Sequence, residues 1–211
     1  MKQITKQAEP QELIAWKNQA NENWQPIYDD LRGEEKQAVK QSLMAEQGYL
    51  CCYCESRLID DDSHIEHFQP QNDPRIDPLN YANLLCSCQN RIAKGDPRHC
   101  GNLKNGWFDE QLLVSPLENG CEERFAYSGD GLIRPSDQAD ERARVTIEKL
   151  GLDIAKLNDL RKKVIDPFVD VELSETEFRQ FVTGYLRQDA QGMFGEFCTT
   201  IRHLFGAYAT P

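Results

Sequence analysis

Cysteine, histidine and carboxylate crowd into one quarter of the sequence. Between Cys51 and Lys104 lie six of the eight cysteines and three of the four histidines. Four runs carry them in order: Cys51-Cys52-Tyr53-Cys54, His64-Ile65-Glu66-His67-Phe68-Gln69-Pro70, Asn83-Leu84-Leu85-Cys86-Ser87-Cys88 and His99-Cys100-Gly101-Asn102-Leu103-Lys104. Two thiolates separated by two residues can hold one ion from a tight turn, because the intervening backbone folds back on itself. Cys51 and Cys54 have that spacing, and Cys88 and Cys100 best complete a structural Zn²⁺ site. Cys52 and Cys86 blur the register. The Cys-x-Cys pairs they make chelate poorly, so both are read as buried thiols, and His99 stands as an alternate for Cys100. Cys121 and Cys198 are isolated and structural. The competing reading is a set of ordinary reduced cysteines.

The His64–Pro70 run suggests hydrolysis of a phosphodiester. That reaction needs an activated water, neutralised phosphate charge and a stabilised leaving oxygen. A neutral imidazole can take the water's proton near neutral pH. A divalent ion such as Mg²⁺ or Mn²⁺, held by a carboxylate and waters, can do the rest. On a strand the adjacent Glu66 and His67 diverge, so that one can face an ion and the other a water, whereas His64 and Glu66 share a face. His64 is thus a second candidate metal ligand. Taken alone, His-x-Glu-His fits a hydrogen-bonded surface cluster or part of the zinc site equally well.

The elements around these runs read as mostly helical. Pro10 opens a helix with Leu13, Trp16 and Ala20 on one face, and Trp24, Tyr28 and Leu31 suggest a second, shorter one. Glu34 to Gln47 is acid-led, buries Val39 and Leu43, and meets Gly48 at its end. Tyr49–Cys54 and His64–Phe68 are expected as strands joined by a hairpin turn through Asp60-Asp61-Asp62. A Pro- and Asp-rich loop follows at 73–80, residues 83–90 are expected to open a helix, and 92–98 is a loop insertion. Phe125 to Tyr127 and Leu132 to Arg134 form a hairpin around Ser128-Gly129-Asp130-Gly131. Ser136 or Asp137 then caps a helix from about 140 to Leu150, ended by Gly151. Another helix spans Asp153–Ile165 and stops before Pro167. Ser174 caps a helix to Gln188 with Phe178, Phe181, Val182 and Tyr185 on its apolar face. A last helix runs from Met193 to Phe205, with Phe194, Phe197, Ile201 and Leu204 on one side.

The chain has 211 residues, 39% hydrophobic and 28% charged, as in ordinary globular proteins. No run reaches the roughly 20 apolar residues of a membrane span, so no membrane association is expected. The N-terminus lacks the apolar core of a signal peptide. A cytoplasmic setting follows as the expectation, where clustered cysteines favour a metal over disulfides. The net charge of −11 argues against strong unaided binding to phosphates. Arg91, Lys94, Arg98 and Lys104 give a local basic patch, with Arg91, Lys94 and Lys104 the candidates for phosphate contact, and a partner could supply further grip.

In their order these runs resemble the HNH endonuclease family. The matching positions are Cys51, Cys54, Glu66, His67, Pro70, Asn83, Leu84, Cys88, Cys100, Asn102 and Lys104. The resemblance implies an α+β fold, a zinc-bound ββα-metal module of about 49–107, set between an N-terminal helical segment (1–48) and a hairpin and helical region (108–211). It implies His67 as general base, Glu66 as ligand of the catalytic ion, and Asn83 as the brace of the loop carrying the base. The third position, on the helix, is Asn102, with His99 and Asn90 as alternates: Asn102 lies two residues after Cys100 instead of one, and the Cys88–Cys100 gap is long. Cys-Cys-Tyr-Cys-Glu, His-Ile-Glu-His-Phe-x-Pro and His-Cys-Gly-x-x-Lys look like the PtuB-like nucleases of Septu and retron anti-phage systems. That closer resemblance implies a nucleic-acid substrate (DNA ahead of RNA), an ABC/SMC-like (PtuA-like) ATPase partner, and in some systems a retron reverse transcriptase with its RNA. Rival readings are a non-catalytic zinc module docking on an ATPase or nucleic acid, a tRNA-cleaving nuclease, and a restriction or repair nuclease.

Overall fold

Short strands and helices alternate along the chain. The computed structural model describes residues 1–170 and 172–210. Helix α1 (Gln11–Lys17) begins after Pro10 and buries Leu13 and Trp16. It ends before Ala20, which is exposed. The expected helix through Trp24 to Leu31 is a single 3₁₀ turn at Tyr28–Asp30. Pro26 biases the residue before it away from helix. Trp24 instead sets its ring edgewise on Trp16, 5.5 Å between centroids. Helix α2 (Gly33–Glu46) buries Val39 and Leu43 as expected.

The central ribbon is β1 (Ser63–His67) antiparallel to β2 (Leu84–Cys88), with Ser63 opposite Cys88, Glu66 opposite Leu85 and His67 opposite Leu84. Residues 83–90 were expected as a helix and β1 was expected to pair with Tyr49–Cys54; both expectations fail. All five residues of β2 are buried. A short apolar run buried all round has no period to separate strand from helix. Residues 49–55 form a turn, bracketed by the left-handed Tyr49 (φ 60°) and Glu55 (φ 67°) and closed by the Cys51 N–H donating to Ser56 O at 2.9 Å. Leu50 and Arg57 make only an isolated bridge. A five-residue helix, α3 (Cys100–Lys104), packs against β2.

Strands β3 (Phe125–Tyr127) and β4 (Ile133–Pro135) form the expected hairpin. Helix α4 (Glu141–Leu150) ends at left-handed Gly151, but its cap is Asp140, accepting from the Ala143 N–H, and not Ser136 or Asp137. Helix α5 (Ala155–Val169) runs through Pro167. Proline removes one N–H and crowds the carbonyl four residues back; here that falls in the last turns, and continuation buries Phe168. Helix α6 (Glu175–Leu186) starts with the Ser174–Glu177 capping box. Helix α7 (Cys198–Phe205) begins later than expected, after left-handed Phe197. Residues 194–197 instead run along the cysteine turn: the Phe194 N–H donates to Gly48 O and the Phe197 N–H to Glu55 O, both at 3.1 Å.

One core joins α1, α2, the ribbon, α3, β3, β4 and α4 around Leu43, Leu84, Leu85, Val114 and Leu150; a smaller one gathers Ile165, Phe168, Val182 and Ile201. Among the described residues no helix is long and apolar enough to cross a membrane. Gly48 is the hinge between α2 and the cysteine turn, with φ +63°, and a Cβ there would run into the Phe194 ring. Gly48→Ala combines left-handed strain of about 1–2 kcal/mol with a clash. It should lower urea-measured stability by about 2–4 kcal/mol.

Candidate active site

The cysteine turn, the end of β2 and the start of α3 converge on four sulfurs. The Sγ atoms of Cys51, Cys54, Cys88 and Cys100 all lie within 4.8 Å of one another, and all four residues are buried. Cys54 and Cys88 approach to 3.7 Å. Tetrahedral zinc–thiolate bonds of about 2.3 Å put sulfurs about 3.8 Å apart, so this donor set fits Zn²⁺. The register is the one read from spacing. Burial opposes ionisation of Cys51 and Cys54, but hydrogen bonds from neighbouring thiols outweigh it. Cys51 is held well below the usual thiol range and Cys54 falls to about 6. Burial pushes Cys52 well up and Cys86 up to about 12, so both stay protonated thiols. His99 lies beside the cluster, its Nδ1 3.1 Å from Cys100 Sγ and 3.8 Å from Cys88 Sγ. It is placed to hydrogen-bond the thiolates from outside the four-sulfur group. The eight cysteines are all free.

Glu66 is buried on β1, and its two oxygens have different surroundings. Oε1 accepts from Tyr53 Oη at 3.1 Å and pairs with Lys104 Nζ at 2.8 Å. Oε2 faces His64 Nε2 at 3.8 Å. Burial alone would raise this carboxyl; hydrogen bonding from His64 and the Lys104 charge outweigh it and keep Glu66 ionised. Lys104 is itself buried and also donates to the His67 carbonyl at 3.0 Å. Its expected role as a phosphate contact does not survive: the ammonium is consumed in orienting Glu66. Arg91 pairs with Asp61 at 2.9 Å. Lys94 and Arg98 are exposed, and Arg98 lines the cleft described below.

His67 is half-buried at the end of β1, with the Tyr28 ring set edgewise 4.4 Å away. Its Nε2 lies 2.9 Å from Pro78 O. A carbonyl oxygen has no proton to give, so Nε2 carries the hydrogen and Nδ1 keeps the lone pair. Burial pushes the imidazole pKa down, which favours the neutral ring. Asn83 grips the segment just past His67: its Oδ1 accepts from Gln69 N–H at 2.8 Å and its Nδ2 donates to Gln69 O at 2.9 Å. Asn102 donates its amide to Gln89 O at 2.5 Å. Asn90 sits apart, in a neighbouring cleft with Lys36 and Lys40.

One open cleft of about 620 Å³ brings the pieces together, lined among others by His64, Glu66, His67, Arg98, Gly101 and Asn102. The arrangement offers a neutral base, an ionised carboxylate and an imidazole within one solvent-reachable space. Sequence reasoning missed Tyr53 and Tyr28, whose aromatic character reads as core, and the Pro78 carbonyl, which has no side-chain signal. The link from Lys104 to Glu66 had a readable trace: Lys104 lies one helical turn after Cys100, on the element that the zinc site draws against β1.

No family model matches the sequence. The chain is 30% identical over 141 residues to the candidate HNH endonuclease of retron Vc95 from Vibrio cholerae serotype O1 biovar El Tor, covering 64% of this chain and 66% of that protein. It is 26% identical to the candidate HNH endonuclease of retron Ec83 from Escherichia coli, over 80% of each. The first alignment thus spans just under two thirds of its relative. Both likenesses support the HNH endonuclease family and a retron context.

Proposed function

We propose that the chain is a metal-dependent HNH endonuclease that hydrolyses nucleic-acid phosphodiesters as the effector of an anti-phage retron or Septu-like system. The observation that carries this reading is the placement of Glu66 and His67 on one cleft beside the four-cysteine cluster. Residues 49–107 form the nuclease module in this reading, framed by 1–48 and 108–211. His67 takes a proton from the attacking water at Nδ1, with the ring held by Pro78 O and by Asn83 through Gln69. Glu66 holds a Mg²⁺ or Mn²⁺ ion, whose charge would offset that developing on the phosphate and leaving oxygen. Lys104 and Tyr53 fix Glu66, Arg98 offers charge at the rim, and Cys51, Cys54, Cys88 and Cys100 hold the zinc that anchors the scaffold. With a net charge of −11, the chain relies on partners for much of its grip on nucleic acid. An ABC/SMC-like ATPase and a retron reverse transcriptase with its RNA suit that need, and the retron relatives favour them. The test is cleavage of supercoiled plasmid, single-stranded DNA and tRNA, with Mg²⁺, Mn²⁺ or EDTA, with and without the ATPase encoded beside the chain's gene. Ion-dependent cutting of DNA is expected; cutting of tRNA alone would move the substrate to RNA, and no cutting in any arm would leave a zinc-stabilised binding module.

A further inference from the structure

We infer that the catalytic ion is held by two side chains of one strand, His64 and Glu66, and that Gly101 is glycine because those side chains fill the space where a residue on α3 would reach in. This rests on the nuclease reading and assigns the ion's donors within it. The donor atoms, His64 Nε2 and Glu66 Oε2, lie 3.8 Å apart on the same face of β1. Glu66 Oε1 is already occupied by Tyr53 and Lys104, so Oε2 is the oxygen left for a ligand. A Cβ built on Gly101 would overlap Glu66 Oε2 and stand 2.9 Å from its Cδ and 3.0 Å from His64 Nε2. The Gly101 backbone cannot easily retreat, since its N–H donates to Ser87 Oγ at 3.2 Å and the preceding Cys100 belongs to the sulfur cluster.

No other side chain of α3 or its cap offers a free donor at that spot. Asn102 is committed to Gln89 O, Lys104 to Glu66 and the His67 carbonyl, and His99 to the cysteine sulfurs. His64, by contrast, is underused: its Nδ1 is buried with no hydrogen-bond partner, and its side chain is 25% exposed toward solvent. An imidazole and a carboxylate from positions i and i+2 form a two-point clasp, and water completes the six-coordinate shell that Mg²⁺ and Mn²⁺ require. Strand pleating sends the intervening Ile65 to the other face. The clasp is therefore set by β1 alone, and α3 contributes an absence of side chain.

The test is Mn²⁺ titration of the zinc-loaded full chain, followed by the electron paramagnetic resonance of free Mn²⁺. Wild type should bind one ion. His64→Ala and Gly101→Ala should each weaken binding at least tenfold, Asn102→Ala should leave affinity unchanged, and zinc content should stay at one per chain throughout. If Gly101→Ala fails to fold, His64→Ala, at a part-exposed position, still decides. Unchanged Mn²⁺ affinity in His64→Ala, loss of binding in Asn102→Ala, or a wild-type chain that takes up no Mn²⁺ would each overturn the assignment. The nuclease reading fails separately, by absence of cleavage in wild type whatever its affinity for Mn²⁺.

Discussion

Cys88→Ala is expected to purify without stoichiometric zinc and without a cooperative thermal transition. The four sulfurs join three pieces that have little else in common: a turn with left-handed ends, the last residue of β2 and the first residue of a five-residue helix. Isolated helices shorter than about 12 residues are marginal in water, so α3 depends on its attachment through Cys100. Structural zinc contributes an apparent ~10–16 kcal/mol in small zinc-finger peptides, comparable with the ~5–15 kcal/mol stability of a whole domain. Removing one thiolate forfeits most of that. It also frees α3, and with it the Lys104 ammonium that balances Glu66, leaving a buried carboxylate unpaired at a cost of about 3–5 kcal/mol. Cys52→Ala and Cys86→Ala are the matched controls. Both thiols are buried and protonated; their loss should cost about 1–2 kcal/mol and keep one zinc per chain. Metal analysis by mass spectrometry with thermal melts by circular dichroism reads both effects. A Cys88→Ala chain that keeps its zinc and its melting temperature would remove the sulfur cluster as an organising element.

The zinc ligands were legible because chelation depends on spacing, and spacing is written in the sequence. Cys-x-x-Cys closes a tight turn whatever surrounds it, so Cys51 and Cys54 could be paired before any element was known. The same turn hid its own backbone: Tyr49–Cys54 has aromatic and apolar content that reads as strand, yet φ of 60° at Tyr49 and 67° at Glu55 bend it. The exchange of helix for strand at Leu84–Cys88 has a different cause. That segment is buried on every side, and only tertiary context decides its state. Its true partner is β1, seventeen or more residues earlier in the chain for every pair in the register. Lys104 was misjudged because a lone lysine beside a basic cluster reads as solvent-facing. Its burial follows from the zinc site drawing α3 onto Glu66, a consequence of three-dimensional closure. The adjacency of Glu66 and His67 was readable as a pair diverging on a strand, but the tautomer of His67 was not, since it is set by a main-chain oxygen eleven residues away.

His67→Ala should lower the rate of ion-dependent cleavage by about 10²–10⁴-fold, the range for loss of a positioned general base, with zinc content and melting temperature close to wild type. The imidazole is half-buried and makes one hydrogen bond, to Pro78 O, together with an edge contact to Tyr28. Its removal leaves one carbonyl to be met by water and a part-open hollow, which costs little. Glu66→Gln is a less clean probe, because it would also strip the counter-charge from buried Lys104. The sharper control is added imidazole: a small soluble base that enters the vacated hollow should restore part of the rate in His67→Ala and none in Glu66→Gln, where the missing element is an ion ligand. Asn83→Ala separates position from proton transfer. Asn83 touches only Gln69 main-chain atoms through its side chain, so its loss should slow cleavage without making it rescuable. Cleavage by His67→Ala at the wild-type rate, with zinc intact, would take the base out of the reaction. The cleft would then be a place where nucleic acid is held and not cut.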